Sequence, residues 1–312
     1  MPIVELQHVR KAYDTKIAVE DLSFKIEPGS MFGLLGPNGS GKTSTIRMMI
    51  GITVPDSGMV SLFGQPFTRK SLNRIGYLPE ERGLYKKMKA IDQLIFLAQL
   101  HGLDAVTASR RAHEWCERVD ITPAIHKKTE ELSKGMQQKI QFVAALLHEP
   151  ELIIMDEPFS GLDPVNATVL QDILVELRNA GRTILFSTHR MDQVEKLCDN
   201  ICLIHNSHLI LSGSMREVKS QYPRNRVDVV FEGDNGFLNH PSIEDSRLYT
   251  GHAEIKLHSI NGVPPDAQPL LADAVNRGTR IIRFEVKEPT LEEIFIEKVT
   301  ASANNGGGKV NA

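Results

Sequence analysis

Gly36-Pro37-Asn38-Gly39-Ser40-Gly41-Lys42-Thr43 fits the pattern G-x-x-x-x-G-K-[ST]. The apolar run Met31–Leu35 precedes it and reads as a buried strand; a helix opens at its far end. Strand, glycine-rich turn and helix in that order are what such a loop needs to grip phosphate. Glycines let backbone N–H groups turn inward with no Cβ in the way, and a helix N-terminus adds partial positive charge. Lys42 is placed to bridge β- and γ-phosphates, the Thr43 hydroxyl to hold Mg²⁺, and Ser44 follows in the first helical turn.

Working outward, Leu152–Met155 is a second short apolar run, ending in Asp156-Glu157, and Thr183–Phe186 is a third. Between them lies a helix: Asp163 suits an N-cap, Pro164 the first helical position, and Leu170, Ile173, Leu174 and Leu177 repeat at i, i+3, i+4, i+7 before Gly181. Strand–helix–strand units of this kind make a parallel sheet covered by helices. Two carboxylates at the C-terminal end of a parallel strand sit where such sheets bind ligands. Asp156 suits Mg²⁺ and Glu157 the polarisation of an attacking water. Taken alone, the Asp-Glu pair fits an acidic strand end equally well.

Ala90–Leu147 is mostly helical, with apolar stripes Ile91, Leu94, Ile95, Ala98 and Ile140, Val143, Ala144, Leu147. It reads as a helical subdomain, about residues 85–148, inserted into the α/β pattern. The character changes after Tyr222-Pro223. Val227–Phe231, Glu254–His258 and Arg280–Val286 read as strands, the last placing Ile282, Phe284 and Val286 on one face. Thr290 and Glu293 form a capping-box pattern before a final helix carrying Leu291, Ile294, Phe295 and Val299. The chain thus divides into an α/β domain (1–222), a small α+β domain (223–300) and a tail (301–312) whose Asn-Asn-Gly-Gly-Gly composition predicts disorder.

Composition agrees with a globular protein: 41 % hydrophobic, 24 % charged, and a net charge of −3 that gives no global pull toward nucleic acid or anionic lipid. Cys116, Cys198 and Cys202 are an odd, sparse set, read as packing thiols in a reducing compartment. No secretory leader is evident at Met1–Gln7, and no apolar run is long enough to span a bilayer.

Seen together, Tyr13, Gly36–Thr43, Tyr77-Leu78-Pro79-Glu80, Leu132-Ser133-Lys134-Gly135-Met136, Asp156-Glu157, Ser160-Gly161-Leu162-Asp163 and Thr188-His189 resemble, in order, the nucleotide-binding subunit of ATP-binding-cassette (ABC) transporters over about residues 3–222. The resemblance implies a P-loop NTPase cassette that binds ATP and Mg²⁺ and hydrolyses ATP. It implies a head-to-tail dimer with a second copy or a paralogue, so that Ser133 and Gly135 of one chain face the triphosphate held by the other. It further implies separately encoded membrane-spanning permease subunits, a place on the cytoplasmic face of the membrane, and no nucleic-acid partner.

In that frame Tyr13 would stack on adenine, His189 would reach the γ-phosphate or the catalytic water, and Glu80 would join Thr43 and Asp156 at the metal. Each also has a plainer reading: Ser133 as a helix N-cap, Tyr13 as a turn residue, His189 as a cap for the next helix. Glu80 stands where the family usually has glutamine, Lys134 where it has glycine, and Met136 where it has glutamine. Those departures, and the C-terminal Pro289–Phe295 pattern, are similar to the exporter branch that works with ABC-2-type membrane subunits. The basic group Arg82, Lys86, Lys87 and Lys89 falls in the region that the family brings to the membrane subunit, and a solvated basic face is the plainer reading. The competing function is a soluble cassette ATPase acting on a macromolecular complex. Such proteins carry paired cassettes, a long coiled-coil insertion or zinc cysteines, and none of these is present in the chain.

Overall fold

A computed structural model describes residues 1–81, 83–258 and 265–306, with the backbone alone for 301–306. In chain order the first part comprises β1 (Val4–Tyr13), β2 (Lys16–Ile26), β3 (Met31–Leu35), α1 (Lys42–Met49), β4 (Ser57–Leu62), β5 (Gln65–Pro66) and β6 (Ile75–Leu78). Then come α2 (Ala90–Leu100), α3 (Ala105–Arg118), α4 (Lys134–Leu146), β7 (Leu152–Asp156), α5 (Pro164–Asn179), β8 (Thr183–Thr188), α6 (Met191–Leu197), β9 (Asn200–His205), β10 (His208–Ser214) and α7 (Met215–Ser220). The last part holds β11 (Arg226–Glu232), β12 (Ile243–Tyr249), β13 (His252–Leu257), α8 (Gln268–Asn276), β14 (Arg280–Lys287) and α9 (Leu291–Gly306). Two compact units result, Met1–Met215 and Arg216–Ala312.

The first unit is built on a six-stranded sheet of order β10-β9-β3-β8-β7-β6, parallel from β9 through β6. The buried runs β3, β7 and β8 are its central strands, continuous in hydrophobicity because helices cover both faces. The helix between β7 and β8 starts as its sequence dictates: Asn166 N–H donates to Asp163 Oδ1 at 2.9 Å, and Gly181 closes the far end at φ 87°.

A four-stranded antiparallel sheet, β2-β1-β4-β5, packs beside this core and has no counterpart in the sequence reading. The reason is local. The buried positions run Val4, Leu6, Val9 on β1 and Val19, Leu22, Phe24, Ile26 on β2, each losing its two-residue period at a bulge. His8 and Asp21 sit at those bulges with φ 49°, their side chains joined at 2.7 Å. The helical insert is α2, α3 and α4, and Ile91, Leu94, Ala98, Ile140, Val143 and Leu147 are buried there. Cys116, Cys198 and Cys202 are free and buried, and burial pushes each thiol above its ordinary pKa. No described helix is long and apolar enough to cross a membrane.

The second unit is an antiparallel sheet, β12-β13-β11-β14, with α8 against it and its own apolar core. The capping box forms as the sequence predicts: Glu293 N–H donates to Thr290 Oγ1 at 3.3 Å and Thr290 N–H to Glu293 Oε2 at 3.1 Å. The face assigned to β14 needs correction. A register shift opposite Val230–Phe231 makes Ile282 an extra residue, 57 % exposed, and Ile281 packs with Phe284 against the core instead. Helix α9 continues to Gly306, and residues 307–312 of the expected tail lie outside those described, as does Arg82 of the basic group.

Candidate nucleotide site

Parallel strands end on one edge of their sheet, and four of these ends build the site. After β3 comes the Gly36–Gly41 loop, after β6 comes Glu80, β7 closes on Asp156-Glu157, and β8 runs into His189. A cleft of about 430 Å³ opens there, lined by Tyr13, Lys16, Ala18, Asn38, Gly39, Gly41, Lys42, Thr43, Ser44, Glu80, Asp156 and Glu157.

The loop needs its glycines. Gly36 and Gly41 have φ 154° and 115°, and a Cβ would come within 2.1 Å of the Ile204 carbonyl oxygen at the first and 2.3 Å of that of Ala18 at the second. Gly41 is the N-cap of α1 and offers no side chain to its amides. With Thr45 N–H bonded back to Gly41 O at 2.9 Å, the amides of Lys42, Thr43 and Ser44 form an open helix N-terminus at the cleft. The buried Lys42 ammonium folds onto the loop, donating to Gly36 O at 2.7 Å and Pro37 O at 3.2 Å. Burial lowers its pKa, and the charges of Glu157, Asp156 and Glu80 work against that.

Asp156 is buried. Its Oδ1 accepts a short hydrogen bond from Ser187 Oγ on β8, and its Oδ2 has no partner among the described residues. An unpartnered buried carboxylate oxygen is costly unless a cation or water completes it. Oxygen donors from Asp156, Thr43 and Glu80 fit a hard divalent cation, which takes one or two carboxylates and fills its remaining positions with phosphate and water. Glu80 shows the strain of that gathering: burial first, then Asp156 and Glu157, raise its pKa.

Glu157 adopts φ 50°, a left-handed conformation rare for a residue with a side chain. Its Oε1 accepts from His189 N at 3.1 Å and pairs with His189 Nδ1 at 2.8 Å, and its Oε2 accepts from Thr188 Oγ1 at 3.2 Å. His189 therefore meets the site through Glu157 and does not line the cleft. Tyr13, 42 % exposed, is among the residues that line the cleft. Ser133 and Gly135 lie away from the cleft at the start of α4, where Ser133 Oγ accepts from Met136 N–H at 3.2 Å. The N-cap reading of Ser133 is thus correct within one chain.

Sequence reasoning overlooked Lys16, Ala18 and Ser187, and gave Thr188 of the Thr188-His189 motif no role of its own. Lys16 had a signal: Asp14-Thr15 is a two-residue turn, and β1 pairs with β2 so that Tyr13 stands opposite Lys16. Ser187 had none, because its partner lies on the neighbouring strand.

A glycine-lined helix N-terminus, a buried lysine and paired carboxylates at the ends of parallel strands define a nucleotide-binding protein of the phosphate-loop class. Residues 19–160 match the ABC transporter family, and residues 213–299 match the C-terminal domain of DrrA1-3-like ATP-binding proteins. The chain is 44 % identical over 300 residues to an uncharacterized ABC transporter ATP-binding protein, YhaQ, of Bacillus subtilis, covering 96 % of this chain and 99 % of that one. It is 31 % identical over 299 residues to the Nod factor export ATP-binding protein I of Cupriavidus metallidurans, covering 95 % and 96 %. Among solved structures, an ATP-binding subunit of an ABC transporter superposes with TM-score 0.65 at 31 % identity, over 70 % of this chain and 92 % of that one. The chain belongs to the ATP-binding subunits of ABC transporters, a family of ATPases.

Proposed function

We propose that this subunit binds MgATP in the cleft, hydrolyses it as one half of a head-to-tail cassette pair, and thereby drives export through separately encoded membrane-spanning subunits. The observation that carries the metal-nucleotide reading is the buried Oδ2 of Asp156, without a partner among the described residues, on a residue that lines the same cleft as Lys42 and Thr43. Thr43, Asp156 and Glu80 would hold Mg²⁺, which supplies charge neutralisation at the β- and γ-phosphates.

The chain's own residues do the rest. The amides of Lys42, Thr43 and Ser44 receive phosphate oxygens at the α1 N-terminus, and Lys42 exchanges the Gly36 and Pro37 carbonyls for phosphate. Asn38, Gly39 and Ser40 wrap the terminal phosphate, and Tyr13 stacks on the base. Glu157 orients water for in-line attack, with His189 holding its carboxylate and steadying charge as it builds.

Ser133 and Gly135 serve the opposite site. At Gly135 a Cβ would meet nothing closer than Leu162 Cδ2 at 3.4 Å, and the residue is not among those with positive φ. Nothing among the described residues demands a glycine there, which supports an approach from outside. The export direction rests on the full-length likeness to a Nod factor export subunit and on the DrrA-like C-terminal unit.

Two measurements test the proposal. Purified protein should release phosphate from ATP only with Mg²⁺ present, and it should co-purify from detergent-solubilised membranes with a membrane-spanning protein. Metal-independent release, or recovery from membranes without any such companion, overturns the corresponding half.

A further inference from the structure

The segment that follows Glu80 is bound by buried side chains of the helical insert. Gln141 of α4 donates its Nε2 to the Glu81 carbonyl at 3.3 Å. Gln93 of α2 accepts Tyr85 N–H on its Oε1 at 3.0 Å. Thr129 Oγ1 reaches the carbonyls of Tyr85 and Lys86, at 2.7 and 3.2 Å. All three side chains are buried. On the other side of Glu80 the backbone is β6, an edge strand of the parallel sheet. Glu80 therefore stands at a joint between the sheet and the insert.

Two features separate these glutamines from ordinary packing residues. Each uses only one end of its amide: Gln93 Nε2 and Gln141 Oε1 are buried with no partner among the described residues. A leucine or methionine would fill either position without that desolvation cost, so packing alone gives no reason for an amide. The second feature is the helix itself. From α4, Gln138 donates to Pro158 O, next to Glu157, at 3.0 Å, while Gln141 holds Glu81, next to Glu80. One helix thus fixes the residue beside each of two cleft carboxylates, and its N-terminus carries Ser133 and Gly135.

We infer that Gln141 and Gln93 are positioning residues for Glu80: they set how far its carboxylate reaches toward the metal side of the cleft. The inference rests on the MgATP reading above. A carboxylate at position 80 without its metal adds charge to Asp156 and Glu157, so a displaced Glu80 changes the metal requirement for nucleotide binding before it changes chemistry.

The test is binding of a fluorescent ATP analogue to the full-length protein, started in EDTA and titrated with Mg²⁺. Gln141→Leu should raise the Mg²⁺ needed for half-maximal binding about tenfold, the lower range for residues that orient metal ligands. In a Glu80→Ala background the same substitution should leave that requirement unmoved, because the group it positions is gone. Gln93→Leu gives the same readout should Gln141→Leu fail to fold. A shift of equal size with and without Glu80, or no shift in folded variants that bind the analogue normally, overturns the inference alone. Failure of the unsubstituted protein to take up the analogue at any Mg²⁺ concentration overturns the nucleotide reading and this inference with it.

Discussion

The Glu157 carboxylate is bound twice by His189, through the main-chain N–H at 3.1 Å and through Nδ1 at 2.8 Å. Together with Thr188 Oγ1, these contacts hold the side chain toward the end of β8. Glu157→Gln keeps the shape and removes the charge that polarises water. Turnover should fall by about 10²–10⁴-fold, the range for a lost general base. Nucleotide should still bind, and ATP should now hold the chains as a pair. Phosphate release and size-exclusion chromatography with and without ATP check this; near-normal turnover removes Glu157 from its role.

Gly135 separates folding from function. A methyl group there meets Leu162 Cδ2 at an ordinary 3.4 Å and lies near the start of a helix that accepts alanine readily. Gly135→Ala should leave the melting temperature unchanged or slightly raised, yet weaken ATP-driven pairing and turnover at least about tenfold. Calorimetry and an ATPase assay on one preparation decide it, and normal turnover would place Gly135 outside the shared site.

Ser187 is the hydrogen-bond donor to Asp156 Oδ1, and Oδ2 has no partner among the described residues. Ser187→Ala leaves a second buried carboxylate oxygen bare. The cost should be about 1.5–3 kcal/mol, the range for a hydrogen bond to a charged group. Urea unfolding without metal measures it. A loss below ~0.5 kcal/mol would mean that water replaces the hydroxyl.

Glu80 yields a pH prediction. Its pKa stands above the ordinary 4.5, first through burial and then through Asp156 and Glu157. A carboxyl whose folded pKa is raised favours the protonated form, so its ionised form destabilises the nucleotide-free protein above that raised pKa. The penalty fades as pH falls through the raised pKa and is absent below the ordinary value. Glu80→Gln should therefore raise the melting temperature at pH 7–8 without nucleotide, and the gain should vanish near pH 4. A gain that persists or grows on acidification contradicts the assigned cause.

The legible parts of the chain were those governed by neighbours in sequence. The glycine loop, the α5 cap at Asp163 and the Thr290–Glu293 box each satisfy backbone groups within a few residues, and all form as read. The antiparallel sheet of β1, β2, β4 and β5 was not legible, because the bulges at His8 and Asp21 break the alternation by which a strand is recognised. β14 failed for the same reason at Ile282. Lys16 could have been found from the Asp14-Thr15 turn; Ser187 could not.

By itself, the sequence determined that a phosphate-gripping loop joins a buried strand to a helix, and that two acids end a second strand. Those are matters of local φ, periodicity and capping. Only the tertiary structure decided that Ser187 on the neighbouring strand and His189 just beyond its end hold the two acids, 31 and 32 residues away. It also decided that one oxygen of Asp156 is left bare and that α4 pins the backbone beside Glu80 and Glu157. The physical reason is that parallel pairing and helix packing bring together residues with no periodic relation along the chain, and the hydrogen bonds between them exist only after that assembly.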